Sequence, residues 1–190
     1  IDSGVHAAHP HVQGVALAIG IDEHGGLTDA GVDCLGHGTA VTAAIKEKAP
    51  AAEILVARVF HNELRATAEA LSAGLRWAAD ARARLVNLSL GSTNPAYEAM
   101  LAEAVAEARF AGVTIVAAAP QDGRRWLPGA LPGVVAVTLD WTLPRDTCQV
   151  EWRDDGGADA RACGYPRPVP GVPVERNLKG VSFAVANVTG

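Results

Sequence analysis

Several features that mark particular classes of protein are missing from this chain of 190 residues. Lysine and arginine total 16 against 21 aspartates and glutamates, and no run of basic residues occurs. Electrostatics therefore gives no support for a nucleic acid or an anionic membrane as a partner. No apolar stretch reaches the length that spans a bilayer. The three cysteines lack the paired spacing of a structural zinc site, so no such site is predicted.

A nucleotide-binding domain is also unsupported, because no glycine-rich phosphate loop of the right spacing follows a predicted strand. The hydrophobic content of 49% can fill a sizeable core, while 190 residues are few for two domains. We therefore expect one domain over residues 1–190.

Apolar segments of strand length alternate with segments of helical periodicity. This alternation predicts an α/β fold with a mostly parallel sheet, helices on both of its faces, and a ligand site at the carboxyl ends of the strands. The proline-rich stretch 142–179 is expected to be an ordered surface loop with short strands. The predicted strands are 52–60, 84–90, 113–119 and 134–139, and the predicted helices are 36–48, 64–81 and 97–111.

An aspartate, a histidine and a serine occur in that order, each next to small residues. They are Asp2 in Asp-Ser-Gly, His37 in Gly-His-Gly-Thr and Ser182 in Gly-Val-Ser-Phe-Ala. Nucleophilic catalysis by a serine needs an imidazole to take the hydroxyl proton and a carboxylate to orient the imidazole. The pattern therefore predicts a catalytic triad. The simpler interpretations are a turn residue for Asp2 and a helix cap for Ser182.

With its triad residues in this order, the chain resembles the subtilisin-like serine proteases over nearly its whole length. The resemblance implies a three-layer α/β/α fold and a serine endopeptidase that cleaves a peptide or protein through an acyl-enzyme, with no cofactor and no catalytic metal. It also favours a secreted or periplasmic location, a prosegment outside this chain, and flanking segments beyond both ends of these residues. The tight calcium site of secreted members is not expected, because the loop that holds it is missing after the helix of His37.

Two segments between His37 and Ser182 resemble the substrate-binding elements of that family. One would pair with an extended peptide as an added strand, and the other would line the S1 pocket, which receives the side chain before the scissile bond. Because the wall residues are small, the resemblance implies room for a sizeable apolar side chain. The implied substrate-binding residues are Ser89, Leu90 and Gly91 in the strand and Ala118, Ala119 and Pro120 in the wall.

The implied donors to the oxyanion are the backbone N–H of Ser182 and the side chain of Gln121. Where this chain has Pro120-Gln121, the family usually has Gly-Asn. Glutamine keeps the amide donor on a longer side chain, and loss of one such donor costs about 3 to 4 kcal/mol of transition-state stabilisation. Val181 and Ala186 also replace a usual threonine and proline, without removing a reacting atom.

Two alternatives to a normal protease stay open at this stage. One is a peptide-binding pseudoprotease that keeps the groove and has lost turnover. The other is a peptide acyl transferase or cyclase on the same scaffold, in which an amine takes the place of water.

Two further groups of residues carry weaker predictions. His6, His9 and His11 lie close together, but without a matching cysteine or acidic pattern we expect solvated loop histidines and no metal site. Cys148 and Cys163 can form a disulfide, which would leave Cys34 unpaired.

Overall fold

The computed structural model describes residues 1–119 and 123–190. Within these ranges, strands and α-helices largely alternate, with 3₁₀ turns at Pro95–Tyr97 and Val174–Arg176. The strands are β1 (Leu17–Ile21), β2 (Leu27–Thr28), β3 (Leu55–Arg58), β4 (Leu85–Leu88), β5 (Thr114–Ala118), β6 (Val135–Leu139), β7 (Cys148–Trp152) and β8 (Ala158–Ala162). The helices are α1 (His37–Lys48), α2 (Ala68–Asp80), α3 (Glu98–Phe110) and α4 (Val181–Thr189).

The strands form two sheets that are mostly parallel. Their orders are β2-β1-β3 and β4-β5-β6-β8-β7. The edge strands β2 and β7 run antiparallel to their neighbours, and the other pairs are parallel. The predicted mostly parallel arrangement is therefore confirmed.

Residues 1 and 2 lie between the two sheets and connect them. The N–H of Asp2 donates to the carbonyl of Ala57 in β3 at 3.0 Å, and the N–H of Val59 donates to the carbonyl of Asp2 at 2.8 Å. On the other side, the amino group of Ile1 donates to the carbonyl of Asn87 in β4 at 3.1 Å. Asp2 is thereby held at the carboxyl ends of both strands. A cavity of about 570 Å³ separates the beginnings of the same strands.

Helices cover both faces of the larger sheet, as the alternation along β5 shows. Ile115 and Ala117 pack with α2 and α3, in a cluster that includes the fully buried Leu75. Val116 and Ala118 point the opposite way and pack with α4. A further cluster joins α4 to α1. The predicted three-layer α/β/α order is thus observed.

Some elements differ from those predicted. Helix α2 begins at Ala68 and not at residue 64, because the hydroxyl of Thr67 accepts the N–H of Ala70 at 3.1 Å and caps the helix there. Strands β1 and β2 have no counterpart among the predicted strands. In contrast, the hairpin of β7 and β8 provides short strands of the kind expected within 142–179.

Replacing Leu75 with alanine is expected to lower the free energy of unfolding by about 2 to 5 kcal/mol, because its side chain is fully buried between α2 and the sheet. Denaturant unfolding followed by circular dichroism measures the change. Leu178→Ala, at a side chain that is 52% exposed, is the control and should change the value by no more than about 0.5 kcal/mol. Equal losses in both variants would contradict the placement of Leu75 in the core.

Candidate active site

The side chains of Asp2 and His37 are in direct contact at the carboxyl ends of β3 and β4. His37 is the first residue of α1, and Gly36 before it has a φ of 80°, a conformation that glycine adopts without strain. His37 Nδ1 lies 2.6 Å from Asp2 Oδ1, and the two side chains are only 12% and 7% exposed. The structure therefore brings together these two residues predicted from the sequence.

The carboxylate of Asp2 affects both the pKa and the preferred tautomer of His37. Burial disfavours the charged imidazolium and lowers the pKa of His37, but the hydrogen bond to Asp2 and its negative charge outweigh burial, so this pKa lies above its usual value. With the Nδ1–H donated to Asp2, the neutral imidazole keeps its lone pair on Nε2. Asp2 Oδ1 also accepts the N–H of Ser3 at 2.7 Å.

A second buried carboxylate, that of Asp33, was not found in the sequence analysis. It accepts five hydrogen bonds, and the Ser3 hydroxyl, one of its donors, itself accepts the N–H of Gly38 at 2.8 Å. These contacts satisfy N–H groups at the start of α1, which lack acceptors within the helix. They also tie that helix to the segment carrying Asp2. The donors to Asp33 are the backbone N–H groups of Leu35, Gly36 and Thr39 and the hydroxyls of Ser3 and Thr39, at 2.6 to 2.9 Å.

Ser182 lies in the first turn of α4, after Gly180. Its Oγ donates to the carbonyl of Ser89 at 3.1 Å, and the Ser89 hydroxyl donates to the carbonyl of Ser182 at the same distance. The ring centroids of Phe183 and His37 are 5.8 Å apart, so α1 and α4 begin side by side. Among the described contacts, no hydrogen bond joins Ser182 to His37. The third predicted residue is thus beside the pair, with its hydroxyl turned toward the end of β4.

Contacts to the loop after β8 hold α4 at its start, through Gly180, and near its end, through Asn187. The side-chain amide of Asn187 donates to the carbonyls of Cys163 and Tyr165 at 2.8 and 3.0 Å, and the N–H of Gly180 donates to the carbonyl of Gly164 at 2.9 Å. The backbone N–H of Ser182 belongs to the first helical turn, where N–H groups have no acceptor within the helix. It is therefore suited to bind an anionic oxygen.

The predicted substrate-binding strand directly follows β4. Ser89 is buried, Leu90 packs partly against the core, and Gly91 is exposed. A cavity of about 200 Å³ opens beside this segment, and apolar side chains such as Phe60 and Leu101 contribute to its lining. The segment therefore presents main-chain groups at its end and an apolar hollow next to them.

The predicted pocket wall follows β5. Ala118 is fully buried in the cluster that faces α4, and Ala119 is 8% exposed. Pro120 and Gln121, the remaining predicted site residues, lie outside the described residues.

The histidine cluster and the cysteines form neither a metal site nor a disulfide in the part of the chain that the structure describes. In residues 1–119 and 123–190, no group of three histidine, cysteine or acidic side chains is placed to hold a metal ion. The possible Cys148–Cys163 disulfide is wrong, because all three cysteines are free thiols. Cys148 pairs in register with Ala162, so the side chain of Cys163 points to the opposite face of the sheet. In the same described ranges, no helix combines the length and the apolarity needed to cross a membrane.

The family profile that matches the chain is that of the subtilase family, over residues 1–138. The chain therefore belongs to this family of subtilisin-like serine proteases. Subtilisin BL of Lederbergia lenta is 35% identical over 163 residues, which are 81% of this chain and 57% of that protein. Thermitase of Thermoactinomyces vulgaris is 34% identical over 134 residues, which are 65% of this chain and 46% of thermitase.

A solved structure gives the same result for the fold. The structure of the prenylagaramide maturation protease PagA matches this chain with a TM-score of 0.72 and 25% sequence identity. The match covers 100% of this chain and 70% of the PagA chain. The curated relatives are longer than this chain, which spans between 27% and 57% of their length. Family and fold thus agree with the resemblance stated from the motifs.

Replacing Asp33 with asparagine is expected to lower the free energy of unfolding at pH 7 by about 2 kcal/mol or more, because an amide cannot accept hydrogen bonds from all five donors. Burial raises the pKa of the Asp33 carboxyl, but the hydrogen bonds that it accepts lower this pKa by a larger amount. The pKa of Asp33 in the folded state is therefore below its pKa in the unfolded state. This stabilisation is complete above the unfolded pKa of about 3.9 and is lost as the pH falls through the folded value.

The difference in unfolding free energy between parent and Asp33→Asn should therefore be constant from pH 7 to about pH 5 and shrink below about pH 4. Denaturant unfolding at a series of pH values measures it. Asp29→Asn, at an exposed carboxylate, is the control and should give no comparable difference. An equal loss for Asp33→Asn at pH 3 and pH 7 would show that charge on Asp33 contributes nothing.

Proposed function

We propose that this protein is a serine endopeptidase in which Ser182 is the nucleophile, His37 the general base and Asp2 the residue that orients His37. One observation carries the proposal. The Nδ1 of His37 and Oδ1 of Asp2 form a buried contact of 2.6 Å, and Ser182 lies in the first turn of the adjacent helix. Membership of the subtilase family supports the same assignment.

In the acylation step, the Ser182 hydroxyl leaves the carbonyl of Ser89, gives its proton to Nε2 of His37 and bonds to the scissile carbonyl carbon. The carboxylate of Asp2 stabilises the imidazolium that forms. The oxyanion accepts a hydrogen bond from the backbone N–H of Ser182. His37 then gives its proton to the amine nitrogen as the C–N bond breaks, which leaves an ester on Ser182.

In the deacylation step, His37 takes a proton from water while the water oxygen bonds to the acyl carbon. The proton then passes to the Ser182 oxygen as the ester bond breaks and a carboxylic acid leaves. If an amine took the place of water, the product would be a transferred or cyclic peptide, which its mass would reveal. Because His37 must be neutral to accept a proton, the rate should rise with pH through its raised pKa.

We infer that the substrate is a peptide or protein segment bound in extended form along Ser89–Gly91. This segment directly continues β4, and its last residue is exposed, so its main chain can pair with a further strand. The structural neighbour PagA is named as a protease of prenylagaramide maturation. Processing of a precursor peptide is therefore a suitable activity to test first.

A second candidate function is a peptide-binding protein without turnover. The hydrogen bond of the Ser182 hydroxyl to Ser89, and not to His37, favours it, as does the Pro120-Gln121 sequence. We rank it second because an intact triad has no use in a protein that only binds peptides.

Ser182→Ala should abolish covalent labelling by a fluorophosphonate probe, because labelling needs the activated hydroxyl, and should slow peptide hydrolysis by several orders of magnitude. Mass spectrometry of the full-length protein after probe treatment measures this. The matched control is Ser72→Ala, which removes a buried hydroxyl in α2 that has no hydrogen-bond partner among the described residues. The control should label like the parent. A folded parent that does not label would favour the peptide-binding function.

Gln121→Asn should raise the rate of labelling and the kcat of hydrolysis by at least about tenfold, because asparagine is the usual oxyanion donor and one such donor is worth roughly a hundred- to a thousandfold in rate. The same probe reaction, followed over time, provides the rate. Gln149→Asn on the exposed strand β7 is the matched control and should have no effect. An unchanged rate in Gln121→Asn would mean that the glutamine already donates fully or takes no part.

A further inference from the structure

A short segment after residue 123 pairs with the residues that follow β4. The N–H of Ser92 donates to the carbonyl of Leu127 at 2.9 Å, and the N–H of Leu127 donates back to the carbonyl of Ser92 at 2.8 Å. The side chain of Leu127 is buried in the core beneath α2 and α3. Because neighbouring side chains of an extended segment point to opposite sides, Trp126 is directed away from that core.

The indole of Trp126 lies directly on Gly91. A side-chain carbon placed on Gly91 would come within 2.7 Å of Cε3 of the indole, so only a glycine leaves room for the ring. The indole N–H is buried and has no acceptor among the described residues. Packing, and not a hydrogen bond to those residues, therefore holds the ring in place. Gly91 is also two residues from Ser89, whose carbonyl holds the hydroxyl of Ser182.

The same segment presses against the other predicted wall. A side-chain carbon placed on Gly129 would lie 2.2 Å from the carbonyl oxygen of Ala118 and 3.4 Å from the Cα of Ala119. The segment 126–129 thus contacts both predicted walls, and the space between these walls is the predicted S1 pocket. Its largest side chain, that of Trp126, occupies the side of this space next to Gly91.

We propose that Trp126 determines specificity by filling the S1 pocket, so that the enzyme cleaves after glycine or alanine and rejects large side chains at that position. This inference rests on the proposed protease function and names its substrate class. The family resemblance implied room for a sizeable apolar side chain, because the residues of the two walls are small. The proposed position of Trp126, which belongs to neither wall, leaves no such room. The indole takes the space that a large substrate side chain needs, and a packed protein interior yields little to such a clash.

The test uses two peptide nitroanilides that differ only in having alanine or phenylalanine before the scissile bond. The full-length parent should show a kcat/KM at least about tenfold higher for the alanine peptide, which is the scale of discrimination that pocket size provides. Trp126→Ala should raise kcat/KM for the phenylalanine peptide by about tenfold or more. Trp152→Ala, at an indole 77% exposed on β7, is the matched control and should leave the ratio unchanged.

Titration with the fluorophosphonate probe gives the concentration of active sites in each sample, so a partly unfolded variant does not change the ratio. A parent that cleaves both peptides equally would overturn the inference, even if Trp126→Ala failed to fold. An unchanged ratio in a folded Trp126→Ala would overturn it as well. A parent that neither labels nor cleaves would overturn the protease function itself, and the inference with it.

Discussion

The main-chain hydrogen bonds of the first two residues are the contacts on which the rest of the site depends. They join β3 to β4 across the gap between the two sheets. Since successive side chains alternate along an extended chain, Ile1 turns toward α2, where it packs against Gly74, and Asp2 turns toward α1 and His37. A shift of one residue in this pairing would exchange these directions and remove the carboxylate from the imidazole.

The two buried carboxylates near His37 differ in how they are hydrogen-bonded, because Asp33 has five donors while Oδ2 of Asp2 has none among the described residues. An unpaired carboxylate in such a place would be strongly destabilising, yet Asp33 accepts five hydrogen bonds and Asp2 contacts the imidazole. The same contacts fix the start of α1. The stability of the fold and the proposed chemistry therefore depend on the same polar network. In it, hydrogen bonds to carboxylates raise the pKa of His37 and lower the pKa of Asp33.

The proposed substrate-binding side of the site combines segments that the family resemblance implies with the side chains that this chain has there. The proposed walls follow β4 and β5, in the segments that the resemblance to subtilisin-like proteases implies. The indole of Trp126 lies on Gly91 of one wall, and the sequence has Pro120-Gln121 where the resemblance implies Gly-Asn. We infer that the site has the geometry of the family and that residues such as Trp126 restrict which peptides it accepts.

The sequence by itself determined the alternation of strands and helices between residues 52 and 139 and the helix start at His37. Those features depend on the local periodicity of apolar residues and on the glycines and prolines that end helices and strands. Both signals can be read from a short stretch of sequence. Only the tertiary structure decided the register of Asp2 between two sheets, the donors around Asp33, the resting contact of Ser182 and the position of Trp126. Apart from the donors to Asp33 that lie within six residues of it, these contacts join residues about 30 or more positions apart. Such pairings follow from how the layers pack, which no local pattern encodes.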